Sequence, residues 1–295
     1  MPDTPPKISV LLADVDGTLV DSQKRVTPRA AAAIAKLHER GIGFSVTSGR
    51  PPRGLSMITS AVQVTLPVAA FNGGLLMQHD DFSKVIERHV LEHEVAQKII
   101  AKLEQEGLDV WVYAGLDWYL RDVAAPHREK EEHTVQFPPT VVGDFTRALE
   151  AGVLKVTGVS DDLALVARVE KLVQGEFDGV CGTKQSSPDR IHDAAATQPS
   201  VSAARSQPYY LDVTHPLANK GSVVKSLSRL QGIPVGEVAT IGDQPNDILM
   251  FREGGLSISM GQSSDEVKTA ATHVSPGGLD DEGFARAVEK YILGE

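Results

Sequence analysis

The strongest constraint in this sequence is an alternation of strand and helix patterns that occurs at both ends of the chain and is broken between them. Residues 8–13, ISVLLA, form a nearly continuous apolar run, the pattern of a strand covered on both faces in a parallel sheet. Thr27 then stands as a candidate N-cap with Pro28 at the first helical position, and an alanine-rich stretch runs to Arg40 before Gly41. That is the punctuation of a helix. Residues 42–46 (IGFSV) and 67–71 (PVAAF) read as the next two strands, with a helix at about 52–62 between them. The last third repeats the grammar: a helix over 220–231 closed by Gly232, a strand at 238–242 (VATIG), a short helix at 246–253 and a strand at 256–260 (LSISM). Ser263 and Glu266 have capping-box spacing ahead of another helix, and a final amphipathic helix covers about 281–293. Such alternation specifies a doubly wound α/β sheet.

The middle follows another rule. Short strands surround one helix at 92–106, with a hairpin-like LDVWVYAGLDWYLRD segment, and 153–181 reads strand, helix, strand, ending in FDGVC. This is an α+β module inserted into an α/β domain, with predicted boundaries at 1–81 and 209–295 for the core and 82–208 for the insert. The stretch 182–208, rich in Ser, Ala, Gln and Pro, has no clear periodicity and reads as a loop.

Composition removes several function classes. A net charge of −10 and a pI near 5.4 argue against a nucleic-acid surface, because a phosphate backbone demands a basic footprint. Cys181 is the only cysteine, which excludes an intrachain disulfide and a thiolate metal cluster. The opening MPDTPPKISV lacks a secretory pattern, and no apolar stretch approaches the roughly 18–20 residues of a membrane helix. The expectation is a cytoplasmic protein with no membrane or nucleic-acid partner; oligomeric state stays open. The nine histidines show no paired zinc spacing, and there is no Walker A loop.

Chemistry concentrates at strand ends. Asp14-Val15-Asp16-Gly17-Thr18 follows the first buried strand directly. Side chains two apart on an extended segment face the same way, so two carboxylates converge at the carboxyl edge of the sheet, where open α/β sheets bind ligands. Two such groups repel unless a cation or a proton lies between them, which implies a hard cation, an acid/base pair, or both. An Asx turn capping the next helix is the plainer alternative. Gly242-Asp243-Gln244-Pro245-Asn246-Asp247 places two further carboxylates after a second buried strand; a helix start decorated with acids would look the same. Thr47-Ser48-Gly49-Arg50 offers a hydroxyl and backbone amides that suit a phosphate, and Asn219-Lys220-Gly221 puts a cation at a helix start. Each of these is also an ordinary turn or helix opening. Together they supply complementary parts at matching ends of one sheet.

DVDGT, TSGR, Lys220 and GDQPND, in that order, resemble the four motifs of the haloacid dehalogenase superfamily of phosphatases. Asn72-Gly73-Gly74, the position of the insert and the Asn-Lys-Gly start resemble its Cof-type branch. The resemblance implies a Rossmann-like core with an α+β cap domain, and a Mg²⁺-dependent phosphomonoester hydrolase acting on a small phosphorylated metabolite such as a sugar phosphate. It implies Asp14 as the nucleophile that becomes an aspartyl-phosphate and Asp16 as general acid and base. Ser48, Gly49, Arg50, Lys220 and Asn246 would hold the phosphoryl group. Asp14, Asp16 through its main-chain carbonyl, Asp243 and Asp247 would form the Mg²⁺ site, Asp247 orienting metal-bound water or Lys220. A phosphomutase or phosphotransferase of the phosphomannomutase-like type carries the same motifs, and a non-catalytic phosphometabolite sensor is the third reading. Ser48, where the branch often has threonine, keeps the hydroxyl.

Other features read as packing. Trp111, Tyr113, Trp118 and Tyr119 are expected in hairpin and core contacts, and Arg128–His133 in a solvated helix or loop.

Overall fold

The computed structural model describes residues 7–135, 137–178 and 201–295. In chain order the strands are β1 (Val10–Asp14), β2 (Gly43–Thr47), β3 (Val68–Ala70), β4 (Leu75–Met77) and β5 (Val85–Arg88). Next come β6 (Asp109–Ala114), β7 (Asp117–Leu120), β8 (Thr140–Val141), β9 (Val153–Val159), β10 (Ser202–Gln207) and β11 (Tyr210–Thr214). β12 (Val238–Gly242), β13 (Leu256–Ser259) and β14 (His273–Val274) close the series. Among the described residues they form an eight-stranded sheet, order β14-β13-β12-β1-β2-β3-β4-β5, and a six-stranded sheet, order β10-β11-β9-β6-β7-β8.

The first sheet is parallel from β14 through β3 and becomes antiparallel only at β4 and β5. β1 lies at its centre, buried along its whole length. That is why ISVLLA carries no polar alternation: helices cover both faces of a doubly wound sheet. Val10 and Leu12 pack with Leu66, Ala69, Val224, Leu227 and Val238 in one apolar cluster. The strand order reverses beside β1, and parallel pairing aligns the strand ends: Asp14 lies opposite Thr47, and Ala13 opposite Ile241. Residues that follow β1, β2 and β12 therefore emerge at one edge.

The chain divides into two compact units, one running to Arg88 and resuming at Asn219–Glu295, the other His89–Ala218. The insert expected at 82–208 starts seven residues before the second unit and stops ten residues short of its end. The reason is strand pairing, which sequence periodicity does not register. β5 extends the first sheet beside β4, whereas β11 pairs with β9 in the second.

In the second unit, the helices His93–Gln105 and Leu163–Val173 supply Ile99, Leu103, Val166 and Val169 to a cluster with Val112, Val156, Tyr119 and Leu211. Trp111, Tyr113 and Trp118 are buried as expected, Trp111 edge-on to Trp118 at 5.3 Å and Tyr113 stacked on Trp118 at 6.0 Å. The charged segment is a helix, Arg128–Val135, but not merely a solvated one: the Tyr113 hydroxyl donates to Glu131 Oε1 at 2.6 Å. Three other expectations need correction. The last residues of the supposed 182–208 loop form β10, because β11 offers them an antiparallel partner. In FDGVC, Phe177 and Asp178 end a helical turn, Gln174–Asp178, rather than opening a strand. Cys181 and 182–200 lie outside the described residues. The cap of the helix Asp265–Ala270 is Ser264, one residue after the expected Ser263.

Among the described residues no helix is long and apolar enough to cross a membrane. The helix Pro28–Glu39 begins as expected: Thr27 Oγ1 accepts from the Ala30 amide at 3.1 Å and donates to Glu282 Oε2 at 2.6 Å. Thr27→Ala should cost about 1 kcal/mol, lowering the melting temperature by roughly 2–4 °C. Thr27→Ser should recover most of it, as differential scanning fluorimetry would show.

Candidate active site

The carboxyl edge of the first sheet gathers four charged side chains that water barely reaches. Asp14 ends β1 and is 4 % exposed, Asp243 follows β12 at 5 %, Asp247 is 0 % exposed, and Lys220 is 2 % exposed. Lys220 opens the helix Lys220–Gln231, whose start is fixed by Asn219 Oδ1 accepting from the Ser222 amide at 3.0 Å. From there its Nζ donates to Asp14 Oδ1 at 2.6 Å and to Asp247 Oδ1 at 2.5 Å. Asp247 Oδ2 accepts from the amides of Asp243 and Gln244, both at 2.8 Å. Asp243 is held in turn by Thr18 Oγ1 at 3.0 Å and by Gln244 Nε2 at 2.7 Å.

Two glycines make this density possible. Gly17 has φ +86°, and a Cβ on it would lie 2.3 Å from Asp243 Oδ2. A Cβ on Gly242 would lie 2.3 Å from Asp247 Cγ. Any side chain at either position would displace the carboxylate beside it.

Charge is unbalanced here. Carboxylate oxygens of Asp14, Asp243 and Asp247 all lie within 4.8 Å of one another, against a single ammonium. Burial, together with the Asp247 and Asp243 charges, pushes the Asp14 carboxyl well above the usual carboxylate range despite Lys220. Burial likewise raises Asp243, with Asp247 adding to it. Lys220 moves up, its own burial outweighed by Asp14 and Asp247, so it stays charged. A cluster of hard oxygen donors short of positive charge is the donor set that suits a small divalent cation. Asp14 and Asp243 are the better ligands, since both oxygens of Asp247 are occupied by Lys220 and backbone amides.

Asp16 stands apart from the acidic cluster. Its carboxylate takes a bidentate grip from Arg50, Nε to Oδ2 and Nη2 to Oδ1, both at 2.7 Å, and Lys24 Nζ reaches Oδ1 at 2.7 Å. Partial burial works against ionisation of Asp16, but the Arg50 and Lys24 bonds and charges win and hold it below the usual range. Its side chain is thus not with the metal-type carboxylates, which leaves only its main chain for the ligand role the motif implied. Arg50, expected on the phosphate, instead turns its guanidinium to Asp16 because the buried Gly54 carbonyl anchors Nη1 at 3.1 Å. Ser48 is buried at the end of β2, its Oγ accepting from the Arg50 amide at 3.2 Å. Asn72, at φ +56°, donates its amide to the Ser48 carbonyl at 2.7 Å and accepts from Asn246 Nδ2 at 3.3 Å. A Cβ on Gly49 would lie 3.5 Å from Asn72 Nδ2.

A family model of haloacid dehalogenase-like hydrolases matches residues 11–288. The chain belongs to that family. Within it, the chain is a phosphatase of the Cof-type branch. This hydrolase is 24 % identical over 290 residues to the 5-amino-6-(5-phospho-D-ribitylamino)uracil phosphatase YwtE of Bacillus subtilis, covering 96 % of this chain and 97 % of the relative. A haloacid dehalogenase-like hydrolase structure from Bacteroides thetaiotaomicron aligns with a TM-score of 0.81 and 24 % identity, over 96 % of this chain and 99 % of that one. A subclass IIB sugar phosphatase aligns with a TM-score of 0.75 and 20 % identity, over 96 % and 98 % of the two chains. Hydrolases of this superfamily use a divalent metal.

Sequence reasoning missed the supporting residues. Thr18 and Gln244 on Asp243, Lys24 on Asp16, and Gln262, whose Nε2 donates to the Gly17 carbonyl at 2.6 Å, belong to no charged pair visible along the chain. For Lys24 the signal was the turn-like DSQKR; Thr18 and Gln244 stand inside DVDGT and GDQPND without a role assigned to them, and Gln262 gave none.

Raised carboxyl values mean that the folded, metal-free hydrolase holds protons the unfolded chain has released. That stabilisation is complete below the unfolded carboxylate values and is lost as pH rises through the folded ones. Melting temperature without metal should therefore fall with rising pH over that window. The upward shift on adding a divalent cation should grow with pH and shrink in Asp243→Asn, as thermal melts with and without chelator would show.

Proposed function

We propose that this phosphatase is a Mg²⁺-dependent phosphomonoester hydrolase. Its substrate would be a small phosphorylated metabolite of the sugar-phosphate class, cleaved through an aspartyl-phosphate on Asp14. The carrying observation is the pairing of Asp14 with Lys220 beside Asp243 and Asp247 at the carboxyl edge of the sheet. Support for the substrate class comes from two relatives, one named for a phosphorylated ribityl compound and one as a sugar phosphatase. The net charge of −10 and the single cysteine support a cytoplasmic enzyme whose partner is a small molecule rather than a nucleic acid.

In this reading an Asp14 oxygen attacks phosphorus and the ester P–O bond breaks. The leaving oxygen takes a proton from the Asp16 carboxyl and departs as an alcohol. Asp16, now a carboxylate, takes a proton from a water whose oxygen attacks the phosphorus of the aspartyl-phosphate. The P–O bond to Asp14 breaks, releasing phosphate and restoring both acids. Lys220, the Ser48 hydroxyl, the Gly49 amide and Asn246 hold the phosphoryl oxygens in line. Asp14, the Asp16 carbonyl and Asp243 would hold Mg²⁺, which would neutralise the phosphoryl charge. Asp247 keeps Lys220 and the Asp243 backbone in place.

The test is hydrolysis of 4-nitrophenyl phosphate. Chelation should abolish turnover and Mg²⁺ restore it. Asp14→Asn should lower kcat by at least about 10³-fold and Asp16→Asn by about 10²–10⁴-fold. Full activity in Asp14→Asn would remove the assigned nucleophile.

A further inference from the structure

The chain's two tryptophans pack together in the second unit, and only one has its polar atom satisfied. Trp118 Nε1 donates to the Phe137 carbonyl at 3.2 Å. Trp111 is wholly buried, and among the described residues its Nε1 has no hydrogen-bond partner. A buried indole N–H normally finds an acceptor, because leaving it without one costs the free energy of its lost hydration.

Trp111 lines a cavity of about 330 Å³ where β6 begins and β7 ends. Asp109 lies two residues before Trp111 on β6, and Leu120 stands directly across from Trp111 on β7. The three side chains therefore leave the sheet on one face. Leu108, Val110, Leu120 and Ala125 give the cavity apolar walls. Its charged lining is Glu104, Asp109 and Asp122 against the single guanidinium of Arg121. That guanidinium is engaged elsewhere: Nη1 pairs with Glu104 Oε1 at 2.9 Å, and the group lies 4.8 Å over the Phe145 ring. Among the described residues Asp109 and Asp122 have no cation partner. Burial, with the Asp122 charge adding to it, raises the Asp109 carboxyl accordingly.

We propose that this cavity binds a small organic cation carrying a hydrogen-bond-accepting oxygen, an amino sugar or amino alcohol, between the Asp109 and Asp122 carboxylates and the Trp111 indole. Two unpaired carboxylates call for a positive group. The indole N–H calls for an oxygen acceptor, and the apolar walls call for a carbon skeleton rather than a bare ion. The volume lies at the lower end of small-molecule pockets, which suits a ligand of monosaccharide size. Every lining residue belongs to the second unit, so the acidic cluster of the first contributes nothing to it. The site is independent of which ester the hydrolase cleaves.

The probe is glucosamine at mildly acidic pH, where its amine is charged, with glucose as the uncharged control. In ¹⁵N–¹H spectra of the full chain, Trp111→Phe removes one of the two indole resonances and so assigns it. Glucosamine should move that resonance, while the Trp118 signal, already bonded to the Phe137 carbonyl, stays in place. Calorimetry should show glucosamine binding at least about tenfold tighter than glucose. Joint replacement Asp109→Asn and Asp122→Asn should weaken it by a similar factor, and Trp111→Phe about fivefold. Asp122→Asn alone changes an exposed side chain whose Oδ1 contact with the Ala124 amide asparagine can keep. It should weaken binding about threefold without lowering the melting temperature. Equal affinity for glucose, binding that survives the double replacement, or a Trp111 resonance unmoved at saturation overturns the proposal. So does a shift of that resonance by Ca²⁺ and not by glucosamine, which would make the carboxylates a metal site.

Discussion

One buried ammonium shared between Asp14 and Asp247 is the interaction on which this candidate active site depends. Taking a lysine and three carboxylates out of water is expensive, and the mutual attraction repays that cost only in good geometry. Lys220 meets the condition with two bonds at 2.5–2.6 Å, while backbone amides take Asp247 Oδ2 and the Thr18 and Gln244 side chains take the two Asp243 oxygens. The partners are far apart in the chain, Lys220 lying 206 residues from Asp14. The site therefore exists only once the interrupted sheet is complete, and its electrostatics are a property of the assembled first unit rather than of any motif alone.

The parallel register is what brings the motifs together. Asp14 opposite Thr47, and the close of β12 one strand away, deliver the chain at one level of the sheet. A one-residue slip would turn Asp14 toward the opposite face. The apolar runs prevent this slip, because β1 and β12 are buried from end to end and offer no alternative face to water. Here the hydrophobic pattern serves the candidate site by fixing where two strands stop.

Legibility in the sequence followed the range of the interactions. β1, β2, β12 and the helix beginning at Pro28 were readable because runs, caps and glycines are local signals. Asp14, Asp243 and Lys220 were readable because each directly follows or opens such an element. β10 was not, since its six residues carry no alternation and are held as a strand by β11. Thr18, Gln244 and Gln262 act through contacts that appear only after folding. The place of Arg50 after β2 was readable, whereas its pairing with Asp16 was not: that goes with the Gly54 carbonyl, available only once the next turn forms.

Asp14 and Asp16 also show how little two residues of separation say about a shared environment. The strand ends at Asp14, which faces the acidic cluster and is pushed up by burial and by its neighbours' charges. Asp16 lies beyond the strand between two cations that outweigh its burial and hold it down. The proposed roles call for the reverse, an ionised Asp14 and a protonated Asp16. The protein's own charges therefore leave the site short of its working state. A divalent cation beside Asp14 favours the carboxylate, and a phosphoryl dianion competing for Arg50 and Lys24 favours a proton on Asp16. On this argument cation and substrate are needed to set the two protonation states, so the charge deficit around Lys220 and the double grip on Asp16 belong to one arrangement.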